Sequence, residues 1–331
     1  MKKADRGAEN AQVTYADRFG MTEKPFGFTP DPDFFFDSRG HAEALRRLKA
    51  FAEKESGIAL VYGDVGTGKT LVCRRLLNDL DKSGFHTALI INPLMDVEDF
   101  LLDVAGQFNI SLPPLSTRDA LLAAIADFVE EERKEGKMCV LAVDEAQLLP
   151  DETLAMLTGL ATSPGAQDGI AGDESTPFEG TALRTILFAQ QEIAPRFLDK
   201  NMEDLRRRIT ITHYLHPLSR EEVGQYVKFR LSKAGANGSV SFTNESLGRI
   251  HTASKGYPRI VNGICDQSLF LLSRGSKKAV DREVLNRVLN NELAIPSAGS
   301  APSGSIASAL RRLALILAAF LVICGGLFCY F

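Results

Sequence analysis

Ile58 to Tyr62 (IALVY) runs directly into Gly63 to Thr70 (GDVGTGKT), and the helical pattern LVCRRLLNDL follows at residues 71–80. A short apolar strand, a glycine-rich turn and a helix occur in the order that G-x-x-x-x-G-K-[ST] requires. The glycines let the backbone wrap a phosphate chain and aim its N–H groups inward, while the following helix N-terminus adds positive potential. The expected ligand contacts run through Gly63, Asp64, Val65, Gly66, Thr67, Gly68, Lys69, Thr70 and Leu71. Lys69 is placed to reach the β- and γ-phosphates of ATP, and the Thr70 hydroxyl to ligate Mg2+.

Further out, Met138 to Ala146 (MCVLAVDEA) is an apolar strand ending in two acids. Asp144 at the strand tip is the second expected magnesium contact, and Glu145 the group that polarises an attacking water. Gln147 lies close enough in sequence to join that network. A third strand candidate, Leu183 to Ala189 (LRTILFA), ends at Gln190, a polar group suited to sit between the acids and a γ-phosphate. With Thr87 to Ile91, these segments and their intervening helices predict an α/β fold with a largely parallel sheet, ligand lying at the strands' carboxyl ends.

After Ile209 to Tyr214 (ITITHY) the pattern becomes helical. Ser219 followed by Glu221 and Glu222 marks a helix start, and further apolar-spaced segments predict a small all-helical domain over 215–294. Two sets of arginines are candidates for stabilising transition-state charge: Arg206 to Arg208, acting across a subunit boundary, and Arg259 in GYPR, acting within the chain. No G-x-G-x-x-G accompanies them, which argues against a dinucleotide-binding oxidoreductase.

Composition sets outer bounds. Of 331 residues, 38 are Lys or Arg and 42 Asp or Glu, so the formal charge of -4 gives no support for a general polyanion binder, and nucleic acid is not an expected partner. The five cysteines form no C-x-x-C pair, so neither a zinc site nor a disulfide framework is expected. Met1 to Asn10 has no apolar stretch of the kind a secretory signal needs. Leu313 to Phe331 (LALILAAFLVICGGLFCYF) is uncharged and, as a helix, about 28 Å long. Preceded by Arg311 and Arg312, it predicts one transmembrane anchor over 311–331, tethered through a Ser/Gly/Pro-rich linker at 295–310. The lipid bilayer is thereby an expected partner. The location expected is the inner membrane, single-pass, with the nucleotide-binding part in the cytoplasm.

Six segments in order extend this reading: FGMTEKPFGFTPDPDFFF, SRGHAEALRRL, YGDVGTGKT, VDEAQLL, DLRRRITITHYLHPLSREEV and KGYPRIVNGICDQSL. Together they closely resemble the AAA-type ATPases of the general secretion pathway protein A, or ExeA-like, family. The resemblance implies an AAA+ core over 41–214, a helical lid over 215–294, dependence on ATP and Mg2+, and assembly into a homo-oligomer or ring. It implies a trans arginine finger among Arg206 and Arg208 and a sensor-like arginine at Arg259. It also implies that the N-terminal segment, 1–40, contributes to the nucleotide site, with Phe28 to Asp33 and the His41 helix near the base; from the residues alone His41 reads as a surface histidine. Two stretches depart from the family pattern: a long glycine-rich loop over 158–180, read as an insertion, and AQQEI at 189–193 in place of Gly-Gln-Pro-Glu-Leu. The function expected is a membrane-anchored ATPase driving a secretion, pilus or polysaccharide-export apparatus. The alternatives are a nucleotide-gated scaffold with little hydrolysis and a DNA-associated, transposition-type ATPase.

Overall fold

Along Ile58–Tyr62 the side chains alternate between two cores. Ile58 and Leu60 enter one apolar cluster, Ala59 and Val61 the other, and the strand's first four residues are buried. A strand buried on both faces belongs in the middle of a helix-covered parallel sheet, and that is where this one lies. The protein is seen in a computed structural model that describes residues 14–54, 57–113, 116–160 and 183–290.

In chain order the elements are α1 (Tyr15–Arg18), α2 (Arg39–Lys54), β1 (Ile58–Tyr62), α3 (Lys69–Lys82), β2 (His86–Ile90), α4 (Val97–Gln107), α5 (Arg118–Lys134), β3 (Cys139–Val143), α6 (Asp151–Leu160), β4 (Leu183–Ala189), α7 (Ile193–Arg196), α8 (Glu203–Arg208) and β5 (Ile209–Tyr214). Then come α9 (Arg220–Lys233), β6 (Ser241–Phe242), α10 (Asn244–Ser254), α11 (Pro258–Leu272), β7 (Ala279–Val280) and α12 (Arg282–Asn290). The five long strands form one sheet in the order β2-β3-β4-β1-β5, every neighbouring pair parallel. Residues of α4, α5, α6 and α8 line one face, with Phe100 fully buried; α2 and α3 line the other, with Phe51. Each such phenylalanine contributes about 1.5–3 kcal/mol of burial.

The smaller domain is mainly helical, α9 to α12, but it also holds the two-stranded parallel ribbon β6–β7. Strands of two residues leave no readable alternation, which is why the sequence predicts helices alone. Its first helix starts as expected. The Ser219 side chain accepts from Glu222 N while the Glu222 carboxylate accepts from Ser219 N, a reciprocal cap worth about 1 kcal/mol. The N-terminal segment docks on this domain: Thr22 N donates to Ala234 O and the Ser239 hydroxyl to Phe19 O.

Three expectations change. Thr158 to Leu160 form the end of α6, so any insertion starts later, and 161–182 lie outside the described residues. The linker and span expected at 295–331 also lie outside them. Among the described residues no helix is long and apolar enough to cross a membrane: the longest, α5, has 17 residues and is charged along its length. The fold class is therefore corrected to a parallel-sheet core with a mostly helical lid and no transmembrane helix in the described chain. The lipid bilayer as a partner and the single-pass inner-membrane location go with that correction.

Candidate active site

β1 and β4 end level with one another, since Tyr62 pairs with Ala189, and β3 ends two residues earlier, since Val143 pairs with Leu187. The residues that leave these strands, Gly63, Asp144 and Gln190, consequently emerge side by side at the sheet's carboxyl edge.

The glycine-rich turn is held from three sides. Gly63 N donates to Ala189 O at 3.2 Å, and the Thr67 hydroxyl donates to Asp64 O at 2.9 Å. A Cβ on Gly63 would lie 2.7 Å from Leu215 O, and one on Gly68 2.7 Å from His41 Nε2. Gly68 also has φ +102°, a conformation that L side chains rarely adopt. His41 is buried directly against the turn, its Nε2 2.9 Å from Thr67 O and its Nδ1 2.5 Å from the Ser38 hydroxyl. Burial pulls the imidazole below its ordinary pKa, partly opposed by the Thr67 bond. His41 therefore supports the turn from behind, and the surface reading is corrected.

Lys69 starts α3, and its Nζ donates to Gly63 O at 2.8 Å and Asp64 O at 2.9 Å. Burial lowers its pKa; the carboxylates of Glu145 and Asp144 work in the opposite direction. Asp144 is buried, which raises its carboxyl above the usual range, and a bond from the Thr70 side chain opposes the rise. The two expected magnesium contacts thus touch each other. One hydroxyl and one carboxylate, completed by phosphate oxygens and water, suit an ion that keeps several waters and takes few protein ligands.

Glu145 has φ 55°, in the left-handed region, which turns the chain sharply after β3. Its Oε2 accepts from Gln147 Nε2 at 2.5 Å and from Gln190 Nε2 at 2.9 Å, while Gln190 N donates to Gln147 Oε1 at 2.9 Å. Gln190 and Gln147 are therefore both part of the acidic group's surroundings.

A cavity of about 310 Å³ opens over this edge, lined by Val65, Gly66, Gly68, Lys69, Thr70, Leu71 and Glu145 on the sheet side. Gly63, Asp64, Thr67 and Asp144 lie behind it, shaping the turn and its floor. On the lid side, Arg259 in the first turn of α11 reaches the cavity, with its N donating to Gly66 O at 3.4 Å. Gly27, Phe28, Thr29, Pro30 and Asp31 line the same cavity, and Phe28 is 64% exposed there. Opposite Phe28 stand Tyr226, Arg230 and Asn262, which sequence reasoning missed. Arg230 is only 5% exposed, donates to Pro25 O and to Tyr226 Oη at 2.7 Å, and lies 4.6 Å from the Phe34 ring. Tyr226 in turn donates to Asn262 Oδ1 at 2.8 Å, and Asn262 Nδ2 to Gly27 O at 3.3 Å. The only signal for this chain was Tyr226 and Arg230 standing four residues apart on one helix face.

Arg206 and Arg208 are elsewhere. They belong to α8, which enters β5 at its amino end, whereas the glycine-rich turn follows the carboxyl end of the adjoining β1. Five strand residues separate the two ends, about 17 Å. Arg206 is exposed with one long bond to Phe197 O at 3.5 Å, and only the middle member, Arg207, has an acidic partner among the described residues, Glu203.

Residues 52–197 match a family model described as "AAA domain". General secretion pathway protein A of Aeromonas hydrophila is 34% identical over 274 residues, covering 82% of this chain and 47% of that protein. The chain thus spans about half the length of this curated relative. Among solved structures, CDC6P from Pyrobaculum aerophilum aligns with TM-score 0.58 and 17% identity over 79% of this chain and 71% of that one. The Aeropyrum pernix ORC2 protein, in ADPNP–ADP complexes, aligns with TM-score 0.57 and 16% identity over 81% and 71%. At these identities the structures show the fold alone.

Proposed function

Because the chain carries an AAA+ ATPase domain related to general secretion pathway protein A, we propose that it hydrolyses ATP within an assembled oligomer and serves a secretion apparatus. The observation that carries this reading is the cavity faced by Lys69, Thr70 and Glu145 from the sheet and by Arg259 from the lid. Groups of opposite sign converge where a triphosphate and an attacking water have to meet.

In this reading the glycine-rich turn and the N-terminus of α3 hold the phosphate chain. Lys69 exchanges its two loop carbonyls for phosphate oxygens. Thr70 and, through water, Asp144 would hold Mg2+, which when bound offsets phosphate charge. Glu145, oriented by the amides of Gln147 and Gln190, accepts a hydrogen bond from water aligned on the γ-phosphoryl group. As the bond to the leaving ADP oxygen lengthens, Lys69 and Arg259 stabilise the charge that spreads over the transferring group. Arg206 and Arg208 serve the site of a neighbouring copy, because their place at the other end of the sheet keeps them from their own. Gln190 keeps a direct bond to Glu145 despite the departures around it, and that bond favours hydrolysis over a gated scaffold. Coupling to secretion components rests on the relative's name alone and is the coarser part of the proposal.

ATP turnover by the full chain, measured across protein concentration beside Lys69→Ala and a doubly substituted Arg206→Ala, Arg208→Ala chain, tests it. Turnover per chain should rise steeply with concentration, vanish without Lys69, and fall in the double variant to the level of the diluted protein. A double variant as active as the unsubstituted chain at every concentration would remove the trans role.

A further inference from the structure

Behind the cavity, a second polar cluster joins four parts of the fold that are distant in sequence. Asp64 is the second residue of the glycine-rich turn. Its Oδ2 accepts from the Tyr257 hydroxyl at 2.5 Å and lies 3.4 Å from that of Tyr214. Its Oδ1 accepts from Gln191 Nε2, which also donates to the Tyr214 hydroxyl at 2.6 Å. Tyr214 closes β5, Gln191 follows β4, and Tyr257 is the N-cap of α11. The carboxylate of Asp64 is thus a point where the turn, two strand tips and the lid's start share hydrogen bonds.

The chain positions on either side of these contacts matter. Gln190, adjacent to Gln191, bonds to Glu145; Arg259, two residues after Tyr257, bonds through its backbone to Gly66 and lines the cavity. Tyr257 has no side-chain bond of its own to offer α11 as a cap, since that hydroxyl is directed to Asp64. The aspartate bond draws the phenol's pKa up to about 12, so it remains a donor throughout the working range. A charged acceptor shared by three donors fixes direction better than any single contact in the same half-buried setting.

We propose that Tyr257 and Gln191 are positioning residues that act through Asp64, clamping the first turn of the lid to the phosphate-binding turn so that Arg259 faces the triphosphate. This rests on the ATPase reading above, and it assigns the AQQEI segment a role: Gln191 supplies the clamp's sheet-side donor.

The test uses the full chain and two readouts. Hydrogen exchange at peptides covering 63–68 and 257–262 reports the clamp without any turnover, and steady-state kinetics divide KM for ATP from kcat. Tyr257→Phe should speed exchange in both peptides and raise KM about tenfold, the low end for a hydrogen bond to a charge. Asp64→Asn combined with Tyr257→Phe should be no worse than the more severe single change. Should Tyr257→Phe lose its cooperative unfolding transition, Gln191→Ala, an exposed side chain, supplies the same comparison. Unchanged exchange in both peptides, with additive effects on KM, would overturn the clamp. A chain without Lys69-dependent turnover would sink the ATPase reading instead, and exchange would still decide whether the clamp exists.

Discussion

The two walls of the cavity are built on different principles. On the sheet side, each polar group is fixed by the backbone that carries it: Lys69 by the first turn of α3, Asp144 and Glu145 by the end of β3, Gln190 by the end of β4. On the lid side the wall is a relay of side chains, Phe34 to Arg230 to Tyr226 to Asn262 to Gly27, drawn from three separated segments. The difference teaches where precision comes from. Backbone-fixed groups can meet a reacting phosphate at constant geometry, whereas a relay holds shape only while every member is satisfied. Substitutions on the first wall should cost turnover, and those within the relay should cost stability or affinity.

Lys69→Ala should show the division most sharply, with turnover lower by about 1000-fold and the unfolding transition little changed. Scanning calorimetry of unfolding beside a turnover assay checks both halves. A large loss of folding stability would blur the distinction, since Lys69 also ties Gly63 and Asp64 together. Next comes Glu145→Gln, expected to slow hydrolysis about 100-fold while ATP binding persists; retained turnover would take Glu145 out of the reaction. Across the cavity, Arg230→Met leaves Pro25 O and the Tyr226 hydroxyl oxygen without their donor in a buried place. It should cost about 2 kcal/mol of stability, read in a denaturant titration. If Arg230→Met instead abolished turnover in a fully stable chain, the two walls would not differ in the way described.

The smallest effect is a pH dependence under the turn. Burial depresses the folded-state pKa of His41 below its unfolded value near 6.5. At neutral pH the imidazole is uncharged in both states. As pH falls through the unfolded value the unfolded chain takes up the proton first, so stability declines until the folded pKa is reached. Thermal unfolding between pH 7 and pH 5 should therefore show a falling midpoint, less steep in His41→Asn. An equal slope in that variant would assign the effect to other groups, His213 among them, whose pKa burial also lowers.

What could be read from the residues follows the same division. IALVY and ITITHY are strands with the bounds expected, because local backbone geometry does the arranging, and Thr70 of the glycine-rich turn lies against Asp144 after MCVLAV. Ser219 caps its helix for the same reason. The lid wall escaped notice because, apart from Tyr226 and Arg230 four residues apart on one helix, its contacts join distant parts of the sequence, as with Asn262 and Gly27, 235 positions apart. His41 looked like a surface residue since nothing near it in sequence reveals that Gly68, lacking a side chain, leaves room for its ring. The anchor was a different case. Its apolar run supports a span by length alone, and among the described residues nothing in the fold carries it.

The placement of Arg206 and Arg208 at the amino ends of the strands, with the phosphate-binding turn at the carboxyl ends, gives each chain a direction. Under the proposed trans role, donor and acceptor surfaces are unlike, which lets copies add head to tail as a heterologous series. An open row then always ends in one unserved site, and only closure into a cycle makes every subunit equivalent. Turnover per chain would accordingly count neighbours, reporting how far assembly has gone.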